Sequence, residues 1–314
     1  MFISCNTDNI ANNTQSSNAV DVFVVGEKTD YDFPRAFYWK NETLNYLTNE
    51  NQRSSATEIS VQDNQVYICG ELFNDNFDKT AVYWENGIIH TIEQNAETHD
   101  ILKSGNDLYI TGVDSNNACV YWKNGVKNIL TTEAVTSSKM KMKMVGNDLF
   151  INGAEMNSNG TDVNLLFWKN GVKNIIYTGF GETSSIDVEN NIVYLSGKRG
   201  LTGNPSTIKC FYSKNNEIIT LDDIFSINKI DVENADVHLC GQNNDFGLTP
   251  YYWKNGMKTN YSNSEDLNDI SIVNSNLFAC GNNRISDKYT IWINNVLSSG
   301  PEKTKANAIC VILK

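Results

Sequence analysis

Three carboxylates, Glu58, Asp100 and Asp269, stand at corresponding points of a pattern that recurs along the chain, with Lys141, Ser185, Lys229 and Ala308 at the other points. Carboxylates gathered in this way could serve as a general acid and base, the pairing that cleaves glycosidic bonds. His99 precedes Asp100 and adds an imidazole that can titrate near neutral pH. The same groups read equally well as solvated charges balanced by the two lysines. Nothing else completes a catalytic set: there is no Ser-His-Asp order, no metal-ligand spacing and no cofactor-binding loop. The residues favour a non-enzymatic binding or scaffold module, with a carbohydrate-active hydrolase or lyase as the alternative. They call for no metal and no cofactor.

A second group suits recognition. Tyr31, Asp32, Phe33 and Arg35 combine aromatic surface with both signs of charge. Phe73, Asp75 and Asp78 do the same further on, as do Arg284 and Asp287 near the end. All lie in connections whose length changes from copy to copy, and on a rigid scaffold such loops usually carry the contacts. Aromatics beside Arg suit hot spots for a glycan, peptide or protein ligand. Glu58 and Asp269 would form the inner rim of that patch.

The elements that must hold these groups are written in a repeat. Cys119-Val120-Tyr121-Trp122-Lys123-Asn124-Gly125 is one copy, with an Asn-Gly hairpin signal at its end. Others centre on Trp39, Trp84, Trp168, Ser213, Trp253 and Trp292, making seven copies 38 to 46 residues apart. Upstream of each phrase runs an aromatic-rich strand ending in Gly: Gly26, Gly70, Gly112, Gly153, Gly197, Gly241 and Gly281. Before six of those glycines an alternating apolar segment begins, as at Ile59 and Val61 or Ile186 and Val188. Each unit is therefore four strands, A (as in Glu58–Val61), B (Val66–Cys69), C (Ala81–Trp84) and D (Ile88–Ile92). The run Lys139-Met140-Lys141-Met142-Lys143-Met144 reads as an A strand, with Met in the core and Lys on the other side. The Trp positions keep a fixed register on strand C, which predicts packing between units, with Ser213 as the exception.

Four-stranded units at this period predict an all-β fold, a seven-bladed β-propeller of antiparallel blades. The first unit lacks an A strand, and one strand is left over at the C-terminus, where Ile309 and Val311 match Ile59 and Val61. That strand is expected to complete the first blade and seal the ring. The chain resembles the uncharacterised secreted or lipoprotein-like bacterial propellers with Tyr-Trp-Lys-Asn-Gly repeats, over about residues 19–314. It lacks the Gly-His and Trp-Asp pairs of WD40 repeats and the double Gly of kelch repeats. The resemblance implies a fold and an extracytoplasmic, cell-surface setting, and no activity.

Composition agrees with one closed repeat domain. The chain has 314 residues, and its net charge of −12 argues against nucleic acid, whose phosphates need a basic face. No apolar run is long enough to span a bilayer. Cys69, Cys119, Cys210, Cys240 and Cys280 fall in small, buried slots of the repeat without CxxC spacing, and read as unpaired structural thiols. With so many Asn residues in the chain, single ones carry little weight. Residues 1–18 lack periodicity and read as a flexible tether. Within them Phe2-Ile3-Ser4-Cys5 resembles the end of a lipoprotein signal, which would make Cys5 a lipid-anchor site.

Overall fold

The computed structural model describes residues 20–30, 33–41, 43–135, 138–200, 207–243, 249–261, 266–283, 286–294 and 296–314. Cys5 and the 1–18 tether lie outside them. Seven four-stranded antiparallel sheets form the ring, each ordered A-B-C-D. The A strands of all seven line a central channel. In blade 2 the strands are Arg53–Gln62, Gln65–Phe73, Lys79–Glu85 and Ile88–Gln94. Blade 1 takes its A strand from the C-terminus. There Thr304–Leu313 pairs with Val20–Asp30, placing Ile309 opposite Val24 and Val311 opposite Val22. The last strand closes the first blade, as the sequence predicts.

The strands are longer than expected, for an instructive reason. Strand B does not end at its Gly but runs through it, to Asp30 in blade 1 and Phe73 in blade 2. Opposite that Gly the register slips by one residue, as between Ala56 and Glu58, Thr98 and Asp100, and Leu267 and Asp269. The bulge drives a strand A carbonyl into the space a side chain would need. A Cβ on Gly70 would lie 2.0 Å from the Ser55 oxygen, and one on Gly26 1.8 Å from the Lys305 oxygen. Only glycine permits that approach.

The C–D turns are also tied down. Asn41, Asn86, Asn124, Asn170, Asn215, Asn255 and Asn294 all have positive φ, as a tight hairpin turn requires. Each also accepts, through Oδ1, the N–H of a strand B residue in its own blade, for example Val66 at 2.9 Å and Leu108 at 2.8 Å. The other five do so to Val22, Leu149, Val193, Val237 and Leu277. These asparagines are structural, as the recurrent hairpin signal at the end of each phrase implies.

Between blades the core is apolar. Trp84, Trp122, Trp168, Trp253 and Trp292 are buried, and each packs with residues of the preceding blade, as Trp122 does with Tyr67 and Cys69. Trp39, half-buried, lies edge-on to Tyr289 of blade 7. Ser213 stands in the same slot of blade 5 and is buried too. The core there is supplied by Phe150, Leu165, Phe167, Leu195 and Phe211. In the alternating run, Met140 and Met142 are buried as expected, although the paired strand is only Met142–Val145. The six cysteines within the described residues are free.

Two outcomes follow. Gly70→Ala forces a backbone shift at the bulge and should cost about 1–3 kcal/mol in urea unfolding, the usual cost of overpacking; a neutral change would mean the bulge relaxes freely. Removing residues 305–314 should expose the edge of Val20–Asp30 and cause aggregation or a steep loss of melting temperature. A truncated protein that stays monomeric and melts as before would show that the terminal strand is dispensable.

Candidate functional site

The channel opens at both ends into polar basins. On the side of the variable loops a cavity of about 420 Å³ is lined by Glu58, His99, Lys139, Lys141, Glu182, Lys198, Lys229 and Asp269, among others. On the tight-turn side a cavity of about 300 Å³ includes Asp100, Lys143, Asp187 and Asp231. Glu58 and Lys229 reach both and mark the level between them. There Lys141 Nζ donates to Glu58, and Lys229 Nζ lies 3.4 Å from Asp269.

The carboxylates that could act as acid and base are already holding the ring together. Asp100 Oδ2 accepts the N–H of Met142 in the next blade at 2.6 Å, and Asp269 Oδ2 accepts that of Ile309 at 3.0 Å. Two residues along the strand the device recurs. Asp187 accepts from Val232 at 2.7 Å, Asp231 from Ile272 at 2.8 Å, and the Ser60 hydroxyl from Lys103 at 3.0 Å. At the bulges Asn228, Asn268 and Asn307 donate to the carbonyls of Leu267, Ala306 and Ala56 in the following blade. His99 belongs to the same set, accepting the Met140 N–H at Nδ1, 3.3 Å away, so its proton resides on Nε2. Sequence reasoning missed this ladder. Its signal was the recurrence of Asp187 and Asp231 two residues after the strand A start.

Burial and charge set the protonation states. Burial pushes the Glu58 carboxyl up, but Lys141 and Lys229 outweigh it and hold the group below the ordinary carboxylate range. For Asp100 and Asp269 burial wins, and both carboxyls are raised despite the lysines beside them. Burial, then repulsion from Asp187, pushes Asp231 up to about 7. His99 falls to about 4, chiefly by burial and then through Lys141 and Lys139, against an opposing pull from Glu97. Its imidazole is neutral at physiological pH. At the mouth, burial and the neighbouring Lys141 lower the Lys139 ammonium. Cations crowd each other there.

Of the loop residues, Tyr31, Asp32 and Arg284 lie outside the described residues. Arg35 is turned onto its own blade, donating from Nε to the Thr48 carbonyl at 2.7 Å and stacking 3.8 Å over the Tyr46 ring. Phe73 is half-buried, and Asp75, Asp78 and Asp287 are exposed. Phe33 is instead brought to Arg53, whose guanidinium lies 4.2 Å from its ring and 4.6 Å from that of Phe77. Beside the mouth lies a groove of about 760 Å³ that the sequence did not signal, with Phe180, Ile208 and Phe225 partly exposed. Glu182 and Lys198 line groove and mouth alike.

No family model matches the chain, and no curated protein matches its sequence. Solved structures share the fold. The β-propeller domain of the Trilobed protease from Pyrococcus furiosus, of open velcro topology, superposes with a TM-score of 0.57 at 11% identity, over 90% of this chain and 95% of that one. The acylaminoacyl peptidase of Pyrococcus horikoshii gives 0.55 at 10% identity, over 90% of this chain and 51% of that one. The periplasmic gluconolactonase PpgL of Pseudomonas aeruginosa gives 0.52 at 9% identity, over 94% of this chain and 99% of that one. Such likeness establishes the propeller and no more. No helix in the described residues is long and apolar enough to cross a membrane.

Asp231 yields a pH test. Its carboxyl is raised from an ordinary value of 3.8 to about 7, so the folded chain holds that proton more tightly than the unfolded chain does. The stability this confers is fully present below about pH 4 and lost as pH rises through about 7. Asp231→Asn keeps an acceptor for Ile272 and removes the charge. The variant should melt higher than the parent at pH 8 and alongside it at pH 3.5, below the ordinary aspartate value. Equal melting at both would show that Asp231 is ionised without penalty.

Proposed function

We propose that this propeller is a binding module, not a catalyst, and that it takes an acidic peptide or protein segment at the channel mouth on its variable-loop face. One observation carries the reading. Lys139 and Lys198 face the mouth with no carboxylate partner among the described residues, whereas Glu58 and Asp269 are paired with Lys141 and Lys229. Four lysines meet three carboxylates in that basin, on a chain whose overall charge is −12. A cleft of opposite sign to its protein focuses potential and draws in ligands of complementary charge. The adjoining groove would seat an apolar side chain of the same segment against Phe180 and Ile208, beside Phe225, over whose ring Lys198 lies at 4.7 Å.

A second reading, a hydrolase or lyase acting on carbohydrate, has one point in its favour: Asp100 carries a carboxyl raised to near neutrality. Against it, both Asp100 oxygens already accept backbone donors, from Ile101 at 2.9 Å and Met142 at 2.6 Å. The extracytoplasmic setting and the Cys5 anchor belong to this proposal as well. They rest on the resemblance of the sequence.

A peptide array of acidic and apolar-acidic segments, run beside a glycan array and a generic hydrolase assay, tests the reading. Acidic peptides should bind, and binding should weaken as salt rises. Lys139→Glu with Lys198→Glu should weaken it about tenfold or more, roughly the worth of a charge-assisted contact. Peptide binding indifferent to both substitutions would remove the mouth from consideration, and turnover abolished by Asp100→Asn would favour the enzyme.

A further inference from the structure

The junction between blades 2 and 3 departs from the repeat, on the tight-turn face. In four blades a strand C lysine lies over the strand B ring of its own sheet: Lys40 over Phe23 at 4.9 Å, Lys123 over Tyr109 at 5.2 Å, Lys169 over Phe150 at 5.2 Å and Lys214 over Tyr194 at 5.7 Å. In three cases an aspartate at the start of strand B holds the strand C lysine: Lys40 to Asp21, Lys123 to Asp107 and Lys169 to Asp148. Lys254 is held to Asp236 in the same way. Blade 7 has neither member, with Ile293 and Asn276 in those places, and blade 2 has neither as well. Glu85 stands in the lysine's place and Gln65 in the aspartate's. The ring, Tyr67, stays buried but lacks that lysine and is covered instead from the next blade.

A pocket of about 440 Å³ opens there, lined by Tyr67, Tyr83, Glu85, His90, Lys103 and Trp122 among others. Glu85 is half-buried and has no ion pair among the described residues. Its charge, after burial, raises the phenols of Tyr67 and Tyr83, and the Tyr67 hydroxyl donates to it, leaving the rest of the carboxylate to accept from a ligand. Tyr83 and His90 stack face to face, with centroids 4.6 Å apart and planes within 9°, so the pair offers one outer ring face. His90 also departs from the repeat, where the same slot holds Asn45, Asn128, Asn174, Ile219, Thr259 and Ser298. Across the gap Lys103, its Nζ 5.5 Å from the Tyr67 centroid, occupies a position that is apolar in the other six blades: Val61, Met144, Val188, Val232, Ile272 and Val311.

We infer that this junction is a second binding site, one that takes a neutral sugar ring. A pyranose presents apolar C–H faces and a rim of hydroxyls that both donate and accept. The pocket offers the complement: the outer face of the stacked Tyr83–His90 pair for one face of the sugar, a carboxylate acceptor on one side and an ammonium donor on the other. A cation would meet Lys103 and an anion would meet Glu85, so the paired charges select against either. The site is independent of the channel mouth, and shares no lining residue with it.

The repeat supplies the test. Glu85→Lys together with Gln65→Asp rebuilds the lid of blades 1, 3 and 4, so the variant should fold and melt like the parent. A panel of neutral hexoses, deoxyhexoses and N-acetylhexosamines is titrated into both proteins and followed by saturation-transfer NMR and calorimetry. At least one sugar should bind the parent and lose about tenfold or more in the lidded variant, with Tyr83→Ala giving a similar loss. Three results overturn the inference: no sugar of the panel binds, a sugar binds both proteins equally, or tetramethylammonium rather than any sugar fills the pocket.

Discussion

The fold depends on how the innermost strand of each blade is joined to the next. A strands pair with their own B strands and not with one another, so along the channel their outer N–H groups would have no partner. A buried amide left so is costly. Asp100, Asp187, Asp231 and Asp269 remove that cost by reaching across to the following blade, and the bulge asparagines do the same for the carbonyls. The remedy brings its own charge. Carboxylates drawn into a narrow channel repel each other and lose water, which is why several of their pKa values rise. Lys141, Lys143 and Lys229 answer that charge with ammonium groups on the same strands. The alternation of acid and base read from the sequence is therefore first a device for closing seven blades.

Much of the architecture was legible because each physical demand recurs seven times. The Asn of each turn, the Gly of strand B and the Trp of strand C are each fixed by their surroundings: a positive φ, a strand A carbonyl (the Trp168 ring at Gly153) where a Cβ would stand, a neighbouring sheet. What was not legible depends on register between blades. That Asp187 meets the N–H of Val232, 45 residues on, follows from how two sheets stagger, and no window of sequence carries it. The loop residues were obscured differently. Arg35 has the chemistry of a contact residue, yet its guanidinium is satisfied by Thr48 and Tyr46 within its own blade. Phe77 gave no sign of being 63% exposed at a φ of 64°, a conformation bulky residues seldom adopt.

The two ends of the channel differ in sign as well as in loop length. On the tight-turn side Glu58, Asp100, Asp187 and Asp231 face two lysines, Lys143 and Lys229. On the loop side Lys139 and Lys198 tip the balance the other way. Neither of those lysines belongs to the ladder that closes the ring. Approaching strand A, the other blades carry Ala56-Thr57, Thr98-His99, Thr183-Ser184, Ile227-Asn228, Leu267-Asn268 and Ala306-Asn307, with no lysine among them. Lys139 is thus a charge the scaffold does not require.

That distinction gives a general way to separate function from architecture in a repeat protein. A residue present in every blade is explained by what every blade needs, however suggestive its chemistry. The tryptophans illustrate this: six exposed rings would suggest sugar platforms, yet five are buried between sheets and the sixth half-buried. A residue that replaces the repeat's own choice must be accounted for separately, above all when it dismantles a working interaction. Losing a lysine–aspartate pair at the surface costs little, so one such change means little alone. In blade 2 the lysine becomes Glu85, the aspartate becomes Gln65, and across the junction an apolar slot becomes Lys103. Three neighbouring departures that replace the blade's own lid with a lysine from the next blade, beside a half-buried carboxylate, are not needed by the fold, which closes its other blades without them.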